Sequence, residues 1–535
     1  MIADLEKAGQ LPPLAARVCI AGAGAAGISL AVELANRGVA VTLLESGGTN
    51  FEAATQALYQ SEVSGRRHTG IHTGRFRVLG GTTTQWGGQI LQLDSQDFEH
   101  RSWVPESGWP FAKSVLTPYY RRALEIEGVA GSLLDDSEVW KAIGAPVPDF
   151  GEALVPFFSR WCPEPDFARV FGARLSEDSR ITVLLHANVC EILLGDSQQA
   201  IASLRCRTLG GREITVTADS YVFCLGGIET PRLLLQPLAG EMRAPWNESG
   251  LTGRYFHDHV DSTLIEVHPR SRRQLHRWFD NIYRAGYRYQ PKLRLSADEQ
   301  KKRRCLSIGA SYEFLTRKGE LLAEFRAGAR KFTRGLLRVS EVLRMARQLP
   351  HSGLLLRTAY RFKFQGRAYN PDDAGIFLRV HCEQAPDKDS RITLIPDRDA
   401  VGLRKTRLCW RIGHLEIATI RHFAEVVGQA FNRSGFAEIS LFPGLEDAGP
   451  ELFERFDDSF HHMGATRMGS SPDNGVVNSD LRLFGVRNGY VCSSSVFPSG
   501  GFSNPTHTLI ALAVRLAEHL AERLKRGSIP ADDIA

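Results

Sequence analysis

The sequence predicts an α/β protein with more than one packing unit, and three observations support this. A glycine-rich loop at residues 22–27 stands between two short apolar runs of the kind that form buried parallel strands. A third apolar run, at 220–225, also leads into a glycine pair. The chain has 535 residues, too many for one hydrophobic core, so we expect two or three packing units.

The composition is that of a soluble globular protein, with 43% hydrophobic and 23% charged residues. The nine cysteines include no CxxC pair and their number is odd, so we expect buried free thiols in a reducing compartment. The first residues lack a basic segment followed by an apolar core, and no run of about 18 apolar residues occurs. We therefore expect no membrane span and a cytoplasmic location.

The N-terminal segment predicts a complete βαβ unit of about 30 residues. Residues 18–21 form an apolar strand, 28–36 carry apolar side chains at helical spacing, and 39–44 form a second apolar strand. Gly38 stands where a helix commonly ends.

Each glycine of the loop inside this unit has its own physical role. Gly22 permits the tight turn after the first strand, Gly24 lets the backbone approach a pyrophosphate, and Gly27 lets the helix pack closely on the strand. The N–H groups at the helix start, at Ala25 and Ala26, hold phosphates together with the helix dipole. The loop therefore predicts a site for a cofactor that contains a diphosphate.

An acidic residue ends the second strand of the unit. Glu45 can accept hydrogen bonds from both hydroxyls of an adenosine ribose, and its charge would repel a 2′-phosphate. A glycine loop between two strands, with an acid after the second, predicts an ADP-containing cofactor. The loop alone does not decide between NAD and FAD. The chain has no second GxGxxG, which argues against a reductase that carries both FAD and NAD(P)H.

Residues 77–89 form a second loop, dense in glycine and threonine and containing one tryptophan. Such a loop can wrap closely around a flat ligand and offer it N–H donors, and we prefer this interpretation to a plain surface loop. The residues that we assign to the cofactor here are Gly80, Gly81, Thr82, Thr83, Trp86, Gly87 and Gly88.

Later segments are expected to complete the cofactor domain, which is therefore discontinuous. Apolar strands at 187–192, 220–223 and 489–493 would extend its sheet. The cofactor-binding candidates here are Val189, in the first strand, and Gly226, in the glycine turn after the second. A helix is predicted from position 505 to about 525, because proline suits the first helical position and the preceding asparagine suits the N-cap.

Two C-terminal motifs carry a resemblance to a known family. They are HHMGA at 461–465 and GGFSNPT at 500–506. Together with the βαβ unit and the 80–88 loop, they resemble the glucose–methanol–choline (GMC) flavoprotein oxidoreductases, nearest the bacterial sugar dehydrogenases and the members similar to pyranose oxidase. Weaker matches stand at 253–259 and 389–394, whereas 263–380 matches nothing.

The resemblance implies the fold in more detail. It implies a Rossmann-like FAD-binding domain, assembled from discontinuous pieces, with an inserted α+β substrate domain built on an antiparallel sheet of six strands. On this basis the FAD-binding domain comprises residues 14–115, 178–262 and 461–535. The substrate-binding domain and its cap segments comprise 116–177 and 263–460.

The resemblance also implies FAD as the cofactor. Its adenine half would lie on the N-terminal loop, and its isoalloxazine would lie near the C-terminal motifs, beside Asn504, Pro505 and Thr506. Some members of the family link FAD covalently through a histidine in the glycine loop. The matching position here is Gln85, so we expect noncovalent FAD.

By the same match, His461 is the general base and Asn504 holds the substrate oxygen. Oxidation of an alcohol requires that the hydroxyl proton is removed as hydride leaves the carbon for flavin N5, and a histidine with a pKa of about 6.5 suits that role. We therefore expect oxidation of a CH–OH group of a sugar, polyol or other alcohol. His462 is the alternative base. A flavin-containing lyase of the same fold and a noncatalytic FAD-bound protein are the alternative functions.

A dehydrogenase is favoured over an oxidase, with the electron acceptor left open among a quinone, a separate redox protein and O2. The chain has no CxxCH haem motif, so a cytochrome partner would be a separate chain. His257 and His259 flank Asp258, but the spacing offers no third ligand, so we expect no metal.

The segment 317–367 concentrates positive charge, with thirteen Lys and Arg against three Asp and Glu. An apolar stripe and an arginine stripe between 325 and 343 predict a basic amphipathic helix. We interpret it as a solvated face of the substrate domain, with peripheral membrane contact through 322–367, and a membrane-associated location, as the alternative. No nucleic-acid-binding fold accompanies the charge, so we expect no nucleic-acid partner.

Overall fold

The computed structural model of the protein describes residues 1–7, 9, 16–238, 242–316, 352–445 and 450–527. The basic helix predicted between 325 and 343 lies outside these ranges. None of the helices within them combines the length and the apolar character that crossing a membrane requires.

The strands of the described residues fall into four sheets. In chain order they are β1 (Ile2–Asp4), β2 (Val18–Ala21), β3 (Val41–Leu44), β4 (Ser61–Gly65), β5 (Gln89–Ile90), β6 (Leu154–Trp161), β7 (Ile181–Leu185), β8 (Asn188–Leu194), β9 (Ile201–Arg207), β10 (Glu213–Val216), β11 (Ser220–Phe223), β12 (Val260–Pro269), β13 (Ile282–Arg284), β14 (Tyr287–Leu295), β15 (Ile308–Leu315), β16 (Gly375–Cys382), β17 (Arg391–Arg398), β18 (Arg404–Trp410), β19 (Ala437–Leu441), β20 (Asp457–Asp458) and β21 (Gly489–Val491).

The α-helices of the described residues vary from one turn to six. They are α1 (Ala25–Asn36), α2 (Ala53–Gln56), α3 (Ser95–Phe98), α4 (Thr117–Ile126), α5 (Asp136–Ala142), α6 (Phe167–Val170), α7 (Gly172–Glu177), α8 (Gly226–Leu235), α9 (Arg272–Phe279), α10 (Ala297–Arg303), α11 (Ser352–Gln365), α12 (His414–Arg433), α13 (Pro450–Phe453) and α14 (Pro505–Lys525).

The predicted parallel sheet is present and has six strands in the order β1-β7-β3-β2-β11-β21. Its strands β2, β3 and β11 are buried along their whole length, as their unbroken apolar sequences predicted. The α/β class and the N-terminal βαβ unit are confirmed. Helix α1 begins three residues before the predicted start, and β3 begins at Val41 rather than at residue 39.

The antiparallel sheet has nine strands, so the prediction of six was wrong in number. Six longer strands run in the order β19-β12-β16-β15-β14-β6, and β5 continues this order after β6. Strands β13 and β20 add to β14 and β12. The three extra strands are only two or three residues long, and such short pairings leave little signal in a sequence.

The segment at 187–192 does not extend the parallel sheet, contrary to the prediction. It forms β8, which pairs with β9 in a separate antiparallel sheet of three strands, β10-β9-β8. Strand β8 lies at the edge of this sheet, and only part of it is buried. Strands inside a parallel sheet are buried along their whole length. Strand β1 instead extends the parallel sheet, from residues before the predicted domain start at 14.

Two parts of the chain that are distant in sequence meet on the parallel sheet. Strand β21 pairs with β11, and α14 packs against α1 and α4. The apolar side chains of these elements share one core, and a second core lies around the antiparallel sheet. The C-terminal segment is therefore held beside the glycine loop of the N-terminal βαβ unit.

Buried histidines make the stability of this fold depend on pH. Burial lowers the pKa of six of them, to about 4 for His257 and about 3 for His461. The full set is His72, His257, His259, His461, His462 and His519. In the described chain, the pKa of His186 is the one histidine pKa that shifts upward.

We predict that the Tm falls as the pH decreases from about 6.5 to 5. Below about pH 6.5 these histidines are protonated in the unfolded chain and neutral in the fold, so the unfolded state binds more protons. Calorimetry of the intact protein across this range measures the effect. A Tm that is unchanged or higher at pH 5 would contradict it.

Candidate active site

A cleft with an empty volume of about 1480 Å³, part of it open to solvent, lies at the carboxyl ends of β2, β3 and β11. Open parallel sheets bind their ligands at this edge. The wall of the cleft also includes residues 74–77, the turn at 187–189 and three tail segments near 460–462, 492–494 and 505–509.

Most of the residues predicted to contact a cofactor lie in the wall of this cleft. They are Gly22, Gly24, Ala25, Ala26, Glu45, Gly81, Thr82, Thr83, Trp86, Val189, Gly226, Pro505 and Thr506. His461 lies there too. Their individual roles in binding stay predictions.

Five predicted residues lie outside the cleft wall: Gly27, Gly80, Gly87, Gly88 and Asn504. The glycines serve close packing instead. A Cβ at Gly87 would lie 2.5 Å from the Trp161 ring, and one at Gly88 would lie 2.9 Å from a side-chain carbon of Pro165. A glycine required for packing and one required for a ligand look the same in a sequence.

The glycine loop fits a diphosphate group by its shape. A Cβ on Gly24 would meet nothing within 4 Å, so the backbone there faces open space where a ligand can approach. Gly22 has φ +103°, and a Cβ on it would lie 2.5 Å from the Cys224 carbonyl oxygen. Helix α1 begins directly after Gly24 without a side-chain cap, so its first N–H groups are available to an anion.

Glu45 lies where the ribose of such a cofactor is expected. Its carboxylate is 5% exposed and accepts hydrogen bonds from the backbone N–H groups of Ala23 (3.1 Å) and Gly47 (2.9 Å). Burial raises its pKa above the usual value. The two backbone bonds hold the carboxylate at the end of β3, in the cleft wall.

The sequence analysis missed a cluster of arginines in the same cleft. The guanidinium groups of Arg75 and Arg77 lie 4.0 and 4.4 Å from the ring centre of Tyr59. Both donate to the Glu229 carboxylate, at 3.1 and 2.7 Å. Arg75 and Arg77 stand two residues apart just before the 80–88 loop, and this spacing in an extended segment was the available signal.

The arginine cluster carries one more positive charge than negative. Arg232 also binds Glu229, at 3.0 Å, and binds Asp399 at 2.6 Å, so three guanidinium groups face two carboxylates. Burial alone would raise the pKa of Glu229, but the arginines lower it to about 2. An excess positive charge beside the cleft favours an anionic ligand such as a diphosphate.

The predicted catalytic pair is in contact. Asn504 Nδ2 lies 2.9 Å from His461 Nε2. Asn504 stands at the N-cap of α14 as predicted, but its side chain makes no capping hydrogen bond and reaches His461 instead. Nδ1, the other ring nitrogen of His461, lies 2.8 Å from Ser459 Oγ and 2.9 Å from His259 Nδ1.

His461 is a neutral imidazole at ordinary pH. Burial, together with the neighbouring His259, lowers its pKa to about 3. A neutral ring has one nitrogen that accepts a hydrogen bond or a proton. His462 also lies in the cleft wall. Its Nε2 faces Asp258 Oδ2 at 3.9 Å, whereas Nε2 of His461 faces Asn504.

Asp258 joins the segments that carry these groups. Its buried carboxylate Oδ1 accepts from the backbone N–H groups of His259 (2.7 Å) and His461 (2.9 Å), and from the Ser459 hydroxyl (2.9 Å). Burial would raise the pKa of Asp258, but a hydrogen bond with His68 and the nearby His462 hold it far below the usual range.

The structure brings together one group of possible metal ligands in the described chain: His68, Asp258 and His462, with ligand atoms within 4.8 Å of one another. Asp258 belongs to this group, whereas its sequence neighbours His257 and His259 do not. His257 Nδ1 instead lies 3.0 Å from the Tyr255 carbonyl oxygen. The absence of metal stays a prediction, and a metal titration would test it at this group.

Known families match both ends of this architecture. The model of an FAD-binding domain matches residues 15–64, and the model of the GMC oxidoreductases matches residues 386–513. The chain is 24% identical to 2-methyl-1,2-propanediol dehydrogenase of Mycolicibacterium austroafricanum, over 95% of each chain. It is 22% identical to the fructose dehydrogenase large subunit of Gluconobacter japonicus, over 96% of this chain and 99% of the relative.

A solved structure is similar over the same length. Formate oxidase of Aspergillus oryzae RIB40 has a TM-score of 0.56 and 16% identity, and the match covers 96% of this chain and 99% of that one. At this identity the likeness concerns the fold. FAD as the cofactor is confirmed by the FAD-binding family match, and its noncovalent attachment stays a prediction.

Two glycine substitutions separate ligand space from packing. We predict that Gly24→Ala leaves the Tm of the FAD-free protein unchanged but weakens FAD binding by at least about tenfold, because the added methyl group occupies the open approach. Gly27→Ala is the matched control. Its Cβ would lie 1.8 Å from the Gly22 carbonyl oxygen, so both the Tm and FAD binding fall. Fluorescence titration with FAD and thermal melts measure both, and equal FAD affinities for wild type and Gly24→Ala would refute the assignment.

Proposed function

We propose, on the premise that this chain is an FAD-binding oxidoreductase of the GMC family, that it oxidises the CH–OH group of a sugar, polyol or other alcohol, with His461 as the general base. The single observation that carries the proposal is the contact between His461 and Asn504 beside the FAD cleft. The two residues are 43 positions apart and belong to the two C-terminal motifs, at 461–465 and 500–506.

His461 has the protonation state that a base requires. Its low pKa keeps the ring neutral at pH 5 and above, so a lone pair is present, but it also makes the ring a weaker base than the imidazole with a pKa of about 6.5 that the sequence led us to expect. We assign that lone pair to Nε2, the nitrogen that faces Asn504. When substrate is bound, Nε2 takes the hydroxyl proton. The bound FAD supplies the acceptor of the hydride, at its N5.

Asn504 orients the substrate in this proposal. In the substrate-free protein an amide N–H of Asn504 donates to His461 Nε2, and that nitrogen has a single lone pair. When the substrate hydroxyl takes this place at Nε2, the amide N–H groups can donate to the substrate oxygen instead. Helix α14 begins directly after Asn504 and has 21 residues, and its first residues line the cleft. The positive end of this helix favours negative charge on the bound flavin.

We further assign the chain to the dehydrogenases, which pass electrons to a quinone or a separate redox protein rather than to O2. Two dehydrogenases match this chain over at least 95% of its length and of theirs. An oxidase, formate oxidase, is similar in fold at 16% identity. Full-length sequence matches to dehydrogenases support the assignment more than likeness of fold does.

The base can be tested by comparing the two adjacent histidines. We predict that His461→Ala slows anaerobic flavin reduction by an alcohol substrate on the order of 10²-fold or more, because the proton acceptor is lost. His462→Ala is the matched control and should be closer to wild type. Stopped-flow bleaching of flavin absorbance, with substrates drawn from a panel of sugars, polyols and alcohols, measures both rates.

The alternatives give different outcomes in the same experiment. A loss confined to His462→Ala would assign the base to His462. Turnover of substrate without flavin bleaching would indicate a lyase, and neither bleaching nor turnover in the wild-type protein would indicate a noncatalytic flavoprotein.

The electron acceptor is tested on the reduced enzyme. We predict that a soluble quinone reoxidises the flavin at least about tenfold faster than air-saturated buffer does, since the assignment to the dehydrogenases requires poor reactivity with O2. Stopped-flow recovery of flavin absorbance measures both rates, and peroxide is assayed in parallel. Rapid reoxidation by O2 with stoichiometric peroxide would make the protein an oxidase.

A further inference from the structure

We propose that Ser459 and Asp258 are positioning residues that hold His461 in the tautomer whose Nε2 accepts the substrate proton. This inference rests on the proposed function, because it concerns how the base is prepared. It goes beyond it by assigning roles to two residues that the sequence analysis did not place in the active site.

The direction of each hydrogen bond follows from which atoms can donate. The Asn504 amide nitrogen only donates, so His461 Nε2, at 2.9 Å, is the acceptor. In a neutral imidazole the proton is then on Nδ1. That Nδ1–H donates to Ser459 Oγ at 2.8 Å, and the Ser459 hydroxyl donates in turn to Asp258 Oδ1 at 2.9 Å. The carboxylate can only accept, so it fixes the direction of the whole chain.

His259 is the competing partner of His461, because its Nδ1 also lies 2.9 Å from His461 Nδ1. The route through Ser459 is favoured because it ends on a charged carboxylate, and hydrogen bonds to charged acceptors are stronger than neutral ones. Asp258 also holds the backbone of both histidines through their N–H groups. The ring of His461 is therefore fixed at its backbone and at Nδ1.

The proton balance of this arrangement is simple. When Nε2 takes the hydroxyl proton, Nδ1 keeps its own, and the ring becomes an imidazolium. Its positive charge is stabilised through Ser459 by the Asp258 carboxylate, which stays ionised. The proton does not travel to Asp258, so the carboxylate orients the ring and stabilises its charge.

The test is a double-mutant cycle on the holoenzyme, read by anaerobic flavin reduction. Ser459→Ala should lower the rate about tenfold with little change in substrate KM, and Ser459→Thr, which restores the hydroxyl, should recover most of it. Thr69→Val is the matched control. It removes a hydroxyl that donates to the neighbouring Asp458 instead, and it should leave the rate unchanged.

Introducing Ser459→Ala into the His461→Ala variant separates this inference from the proposed function. In His461→Ala protein, Ser459→Ala should cause no further loss, because Ser459 acts through His461. Suppose that Ser459→Ala lowers the rate of flavin reduction tenfold in the His461→Ala variant as well, or does not lower it in otherwise wild-type protein. Either result would overturn the positioning role and leave the proposed function standing. A His461→Ala enzyme with the wild-type rate would overturn the proposed function.

A different observation carries a second inference, which concerns a surface. We infer that helix α11 rests on an anionic lipid surface. Leu356, Tyr360 and Phe364 stand four residues apart on this helix, with 70%, 55% and 71% of their surface exposed. Large apolar side chains contiguous on an exposed face indicate an interaction site.

Cations flank this stripe on both sides. At 3.6 residues per turn, the three apolar residues fall within about 80° of one another around the helix axis. Exposed Lys363 falls about 20° to one side of them and exposed Arg357 about 20° to the other. An apolar stripe edged by Lys and Arg is the pattern of helices that lie in the interface of an anionic membrane, with the charged ends reaching the headgroups.

The opposite side of α11 is attached to the protein. Arg361 donates to Asp280 at 2.9 Å, and the Phe362 ring, although 55% exposed, lies 4.8 Å from the Tyr283 ring. These contacts turn the stripe outward. The charges favour lipid over an apolar protein partner, because both edges are basic and the peptide segment around them is strongly basic.

The test is flotation of the holoenzyme with vesicles of phosphatidylcholine alone or mixed with phosphatidylglycerol. We expect binding to the mixed vesicles that weakens with salt and is lost in the triple variant Leu356→Ser, Tyr360→Ser, Phe364→Ser. Arg357→Gln with Lys363→Gln should weaken binding several-fold. Leu134→Ser, Val147→Ser and Val170→Ser together are the control, since these residues are exposed apolar side chains elsewhere.

Two outcomes would overturn this inference. One is that wild-type protein fails to float with anionic vesicles, or floats equally after the α11 substitutions. The other is that the protein is a dimer in solution and the α11 triple variant is a monomer, which would make a second copy the occupant of the stripe. Flavin content and turnover of the soluble substrate should be unchanged in each α11 variant.

Discussion

The carboxylate of Asp258 is the constraint on which the active site depends. It is fully buried, and one of its oxygens receives donors from residues 259, 459 and 461. Residue 258 precedes β12, the longest strand of the antiparallel sheet, and residues 459–461 follow β20, its last strand in chain order. The carboxylate therefore ties together two segments about 200 positions apart and fixes the backbone that carries the imidazole. A buried charge is tolerated here because its hydrogen bonds replace those of water.

The parallel sheet supplies the other half of the site by a pairing that is remote in sequence. Strand β11 lies between β2, which leads into the glycine loop, and β21, which leads towards α14. Strands that run in the same direction end at the same edge, so the diphosphate loop and the start of α14 border one cleft. The starts of α1 and α14 and the positively charged cluster of Arg75 and Arg77 all line this cleft, and each attracts an anionic cofactor.

Much of this could be predicted from the sequence, and the parts that could not share a cause. The βαβ unit, α14 and the pairing of His461 with Asn504 depend on local patterns and motifs, and the structure contains them. The separate sheet of β8, the three short strands and the contacts of Asp258 depend on which segments meet in space. Likewise Gly87 and Gly88 were assigned to the cofactor, yet they pack on Trp161 and Pro165. A sequence shows that a Cβ is absent, but not which atom required its absence.

The most direct measurement of the central claim is the protonation state of the His461 ring in the holoenzyme. Two-bond nitrogen–proton correlation NMR on histidine-labelled protein, with the signal assigned by the His461→Ala variant, distinguishes the two neutral tautomers and the imidazolium. The account predicts a neutral ring with its proton on Nδ1 at pH 7 that remains neutral at pH 5. A proton on Nε2, or an imidazolium at pH 5, would contradict it.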